Sequence, residues 1–174
     1  MNSLLSRGLL LGLLSLGLLA ASHAVTLNAF VEAAAQQNIA EMQNARIALD
    51  KSHDEQVKTL AQQMLDEHAK DLAALKALAK KLKMDVPTEA SLLAKANTLR
   101  LESRDESFER IYLDNLANGL EQRLALFKKE ANSSENPELK GFAQQALPHI
   151  SAQLEKARRQ HARFKASAKQ LSPP

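Results

Sequence analysis

Over 55–83 the apolar residues Val57, Leu60, Ala61, Met64, Leu72, Leu75, Leu78 and Leu82 recur at steps of three and four. That period places them on one stripe of a single helix. A helix of this length rises 1.5 Å per residue, so its stripe is covered only by partners of comparable length. The chain is therefore constrained to long helices packed side by side. One polar residue, His68, stands in the middle of the stripe.

The rest of the chain offers those partners. A first helix is expected over 27–50, with Leu27, Phe30, Val31, Ala34, Asn38, Glu41, Met42, Ala45 and Leu49 facing inward. Asn38 and Glu41 are polar residues on its stripe. The short link at 51–54 makes the first two helices antiparallel neighbours. Ser52 with Glu55 three residues later reads as a capping box for the second helix. Asp85-Val86-Pro87 stops that helix, since Pro87 disfavours helical geometry at Val86. The chain then makes a long connection over 84–105, including a short helix through Leu92, Leu93 and Leu99 that Thr88 is placed to cap. A third helix is expected over 105–131, with Phe108, Ile111, Tyr112, Leu116, Leu120, Leu124 and Phe127 inward. Gly119 within it would admit a neighbouring backbone. Asn136-Pro137 is a cap followed by proline at the first helical position. It opens a fourth helix over 137–168, kinked at Pro148, and 171–174 is left as a frayed tail.

The start of the second helix returns in the fourth. Val57-Lys58-Thr59-Leu60-Ala61-Gln62-Gln63-Met64-Leu65 matches Leu139-Lys140-Gly141-Phe142-Ala143-Gln144-Gln145-Ala146-Leu147. Lys, Ala, Gln-Gln and Leu are identical, and the apolar positions correspond. A duplicated helical hairpin accounts for this. Two hairpins joined by one long, partly helical crossover between helices 2 and 3 give an all-α, ferritin-like antiparallel four-helix bundle over 25–170.

The first 24 residues read as a cleaved secretory signal. Arg7 supplies the positive start, Leu9 opens an apolar run through Ala20, and Ser22-His23-Ala24 carries small residues at a cleavage site near Ala24. A periplasmic or secreted location follows as an expectation. The chain has no cysteine, hence no disulfide and no thiolate site. A formal net charge of +3 does not mark a nucleic-acid binder, and no nucleic-acid partner is expected.

Chemistry is less legible. A di-metal bundle needs a Glu from each of two helices and Glu-x-x-His from each of the others. No histidine on a long helix has a glutamate three residues before it: Leu65 precedes His68, Ala146 precedes His149 and Arg158 precedes His161. The remaining candidates are Glu41 and His68, inward on neighbouring helices. They would either form a buried charge-assisted hydrogen bond, joined by Asn38, or hold a single transition metal weakly. No nucleophile elbow or phosphate-cradling loop occurs, and the chain is not expected to be an enzyme. The end of the fourth helix is basic through Lys156, Arg158, Arg159, Arg163, Lys165 and Lys169. This is either a solvated face that suits the helix dipole or a surface for the anionic envelope.

Taken in order, Phe30-Val31-Glu32-Ala33-Ala34-Ala35, Glu41, Met64 with Asp66-Glu67-His68, Tyr112 with Asp114, Leu126-Phe127 and Leu147-Pro148 resemble an exported bacterial family. It is number 4142 among the domains of unknown function, in the ferritin-like superfamily. The resemblance implies a secreted or periplasmic bundle with no established activity. It also implies histidines on helices two, three and four. His68 matches the first, whereas Leu120 and Gln153 stand at the other two positions. The leading expectation is a non-enzymatic binding or structural protein with a Glu41, His68 and Asn38 polar core. The alternatives are a metal-binding or redox protein with a reduced site at Glu41 and His68, and an envelope protein acting through its basic last helix.

Overall fold

The computed structural model describes residues 28–171. The segment expected to be a secretory signal and most of the expected tail lie outside them. The described chain is all-α, with five helices: α1 (Ala29–Lys51), α2 (Glu55–Lys81), α3 (Leu92–Glu102), α4 (Phe108–Ser133) and α5 (Pro137–Leu171). None of these is long and apolar enough to cross a membrane.

The four long helices pack as two hairpins, α1 with α2 and α4 with α5, and α1 also lies against α4 and α2 against α5. Polar bonds fix which ends meet. At the α1–α2 turn, the Lys51 ammonium donates to the Glu102 carbonyl at 2.6 Å and to Asp105 at 2.9 Å. Glu109, in the first turn of α4, accepts from the Ser52 hydroxyl at 3.1 Å and from the His53 amide at 2.9 Å. At the opposite end Lys81, closing α2, pairs with Glu138, opening α5. The chain between α2 and α4 therefore runs the length of the bundle, and α3 lies along α1 and α4.

The two hairpin turns are built alike. Asp54 caps α2 by accepting from the amides of Gln56 and Val57, at 2.7 and 3.1 Å. Asn136 caps α5 by accepting from Glu138 and Leu139, at 2.9 and 3.1 Å. The preceding Ser52 and Ser134 each donate to the carbonyl two residues on. One spacing separates Ser52 from Ser134, Asp54 from Asn136 and Val57 from Leu139, so the repeat extends through the turns.

Some local expectations are corrected. The cap of α2 is Asp54 rather than Ser52, because the Ser52 hydroxyl is taken by Glu109 and by the Asp54 backbone. Ser91, not Thr88, caps the crossover helix, accepting from the Ala94 amide at 3.2 Å. α2 ends at Lys81, before Pro87, because Lys83 turns left-handed at φ 56° and the Met84 amide reaches back to the Ala79 carbonyl. α5 extends past 168 to Leu171, with Pro148 inside it as expected.

The core is divided along its length. One apolar cluster, at the α1–α2 turn, gathers Ala45, Ala48, Val57, Leu60, Met64, Phe108, Leu113, Leu116, Leu120 and Leu154. The other, at the α4–α5 turn, gathers Phe30, Val31, Leu72, Leu75, Phe127, Leu139 and Ile150. Phe30 meets Phe127 edge-on with ring centroids 5.0 Å apart. On each long helix the residues between its two apolar groups include polar ones: Asn38 and Glu41, His68 and Asp71, Arg123, and Gln153.

If the two turns are equivalent, Asp54→Ala and Asn136→Ala should each cost about 1 kcal/mol and add in the double variant. Urea unfolding followed by helical circular dichroism measures all three. A cost confined to one turn would show that the hairpins are not held alike.

Candidate functional site: a polar layer in the bundle

Asn38 is 1 % exposed and His68 0 %. The His68 Nδ1 lies 2.9 Å from the Asn38 Oδ1, and the Arg123 guanidinium donates to the same oxygen at 2.9 Å. Arginine has only donors, so the Asn38 atom facing it must be the oxygen. His68 therefore donates from Nδ1, and its Nε2 is a bare lone pair buried without a protein partner. A second Arg123 nitrogen donates to Asp71 at 3.0 Å, and the guanidinium lies over the Phe127 ring, 4.7 Å from its centre. α1, α2 and α4 are joined through one cation.

Electrostatics follow from this placement. Burial, with the nearby positive charge of Arg123 and then His149, pushes His68 down to about 3. It is a neutral imidazole at pH 7. Burial also pushes the Glu41 carboxyl up to about 7, against Arg123 and a hydrogen bond from Asn44, which favour its ionised form. Burial and then the Glu41 charge raise Tyr112, whose hydroxyl has no protein partner.

The expected Glu41–His68 hydrogen bond does not form. Asn38 takes the donating nitrogen of His68, the other nitrogen is unpartnered, and Glu41 points away toward α4 and α3. The neighbour that Gly119 admits is a side chain rather than a backbone. A Cβ there would overlap the Glu41 carboxylate oxygen, with the carboxyl carbon 3.3 Å away. Gln153, buried on α5, donates to Glu67 at 2.7 Å and lies 3.1 Å from the His149 ring. Leu120 is fully buried in the apolar cluster. Arg123 and Asp71 escaped the sequence reading. The available signal was spacing: Arg123 stands three residues after Leu120 and four before Phe127, on the apolar stripe.

A metal fits poorly here. Among the described residues no three His, Asp or Glu side chains converge on one point. The bare Nε2 of His68 belongs to a ring bonded to the same oxygen as a guanidinium, which repels a second cation. The basic end of α5 is partly occupied as well. Arg158 pairs with Glu121 at 2.6 Å, Arg159 with Glu155 at 3.0 Å, and Lys156 donates to Gln63.

The fold and its core define an all-α helical bundle cross-linked by a buried polar layer. By sequence comparison, a family model described as a domain of unknown function, DUF4142, matches residues 18–159. The chain belongs to that family. No curated protein and no solved structure matches it.

Removing Asp71 leaves the Arg123 charge buried with less compensation, whereas removing Arg123 leaves a partly exposed Asp71 that water can reach. Asp71→Ala should therefore cost about 3–5 kcal/mol and Arg123→Met clearly less, by chemical unfolding. Equal costs would show that Asp71 is not the effective counter-charge.

Glu41 gives a pH signature. It ionises near 4.5 unfolded and near 7 folded, so its contribution is fully present below pH 4.5 and lost as pH rises through 7. Glu41→Gln should leave stability unchanged near pH 4 and raise it at pH 8, by up to about 3 kcal/mol. His68 acts in the opposite window, its contribution being lost as pH falls from 6.5 toward 3. His68→Leu should flatten the acid side of the same profile.

Proposed function

We propose that this chain is an exported, ferritin-like four-helix bundle that works by binding rather than by catalysis, and whose core is held by a protein cation instead of a metal. The observation that carries this reading is Arg123. It is 3 % exposed and bonded to Asn38 and Asp71 in the part of the bundle where a metal-dependent relative of this topology would gather carboxylates and histidines. The two hairpins, the crossover running the length of the bundle and the repeated turns support the ferritin-like assignment. The positive start, the apolar run and the small residues up to Ala24 support export.

Two measurements test this. Protein purified without chelator or metal-affinity tag should contain far less than one transition metal per chain by elemental mass spectrometry. A stoichiometric metal that disappears in His68→Ala or Glu41→Ala would overturn the reading. Expressed from its own start in a bacterium with an outer membrane, the chain should be recovered in the periplasmic fraction with its N-terminus near Val25. Retention of residues 1–24 in a cytoplasmic product would remove the export part.

A further inference from the structure

α3 does not lie flat on the bundle. Between α1, α3 and α4 there is a cleft of about 620 Å³, within the range of small-ligand sites. Glu41 and Gly119 form part of its lining, and Gly119 is what leaves space for the carboxylate. Carboxamides cover much of the remainder: Gln37 and Asn44 from α1, Asn97 from α3, and Asn115, Asn118 and Gln122 from α4. The Gln37 Oε1 is buried without a protein partner. Arg100 and Arg104 line the cleft from α3 and the turn after it, and neither ion-pairs among the described residues. The arrangement is held by Thr98, whose hydroxyl donates to the Asn44 oxygen at 2.9 Å and turns the Asn44 amide nitrogen toward Glu41.

The chemistry of this lining is specific. A carboxamide offers both a donor and an acceptor, as does a peptide group. A phosphate would instead require donors throughout, and a carboxylate in the lining opposes it. No aromatic side chain lines the cleft, which leaves out ligands held by stacking. A negative group on one side and two unpaired guanidinium groups on another match a ligand charged oppositely at its two ends. We infer that the cleft between α1, α3 and α4 binds a short peptide with free termini, its ammonium on Glu41, its carboxylate on Arg100 and Arg104, and its peptide group between the carboxamides. This rests on the binding-protein reading above and names the ligand class.

The groups acting on Glu41 are Arg123 and Tyr112 from α4 and Asn44 from α1, while Arg100 and Arg104 line the same cleft from the α3 side. Asp71 and His68 on α2 reach it only through Arg123. An arriving ammonium favours the ionised carboxylate, so binding near pH 7 releases protons from a group whose pKa burial has raised to about 7.

Calorimetric titration of the full chain with L-alanyl-L-alanine, its N-acetyl form and its C-terminal amide tests the inference. The free dipeptide should bind saturably, with a heat that varies with the buffer's ionisation enthalpy. N-acetylation or Glu41→Gln should each weaken binding about tenfold or more. Acetylation should cost nothing further in the Glu41→Gln protein. Gly119→Ala, which keeps every charge but displaces the carboxylate, should weaken the free dipeptide and remove the proton release. Arg100→Gln with Arg104→Gln should weaken the free dipeptide and leave the amide unaffected. Variants are compared at matched helical circular dichroism. No saturable binding to metal-free wild type, or binding unchanged by Glu41→Gln, would overturn this inference while leaving the metal-free reading in place. A stoichiometric metal would instead overturn the reading beneath it.

Discussion

The bundle depends on one oxygen atom. The Asn38 Oδ1 accepts from a histidine on α2 and an arginine on α4, and so ties three helices at the level where the apolar core is interrupted. Neutral hydrophobic packing has no direction, and the two apolar clusters would tolerate a helix sliding against its neighbour. The shared acceptor does not. A shift of one residue on α4 would take the guanidinium from Asn38 and Asp71 together, leaving a charge without partners in a dry core. Register is thus set by the polar layer and stability by the clusters on either side of it.

The same layer explains why two ionisable side chains on adjacent helices have opposite fates. His68 is buried in the core with the Arg123 charge nearby, and it stays neutral throughout the physiological range. Glu41, half-buried and directed toward the cleft, is balanced between burial and Arg123, so it titrates near pH 7. The sequence places both on inward stripes, where they look like natural partners. The structure separates them because Arg123 enters from the helix facing α1, and Asn38, one turn from Glu41, satisfies both donors.

How much was legible follows from which signals are local. The helix period over 55–83, the Asn136 cap and the repeated segment each lie within a few residues of chain, and each reads through to the structure. The cap at Asp54 was missed because Ser52 offers an equally good local pattern, and only the distant Glu109 decides between them. Arg123 was missed for the opposite reason. An arginine on an apolar stripe looks like a surface residue misplaced by one position until its partners, from α1 and α2, are in view. The cleft was not legible at all. Its lining comes from three helices, one of which is placed by the crossover, and carboxamides on helices carry no periodic signal of their own.

The repeated turns have a consequence for how charges can be arranged. The spacing that relates Ser52 to Ser134 also relates Glu41 to Arg123 and Glu67 to His149. The Glu67 carboxylate lies 3.7 Å from the His149 ring, and Glu41 and Arg123 influence each other's ionisation. In a dimer of identical hairpins each such position would meet its own copy, glutamate against glutamate. Joining the hairpins in one chain lifts that restriction, since the two halves are free to diverge and like can be replaced by complement. The covalent crossover, whatever else it carries, gives the core a chemical polarity that a symmetric assembly of the same parts would forbid.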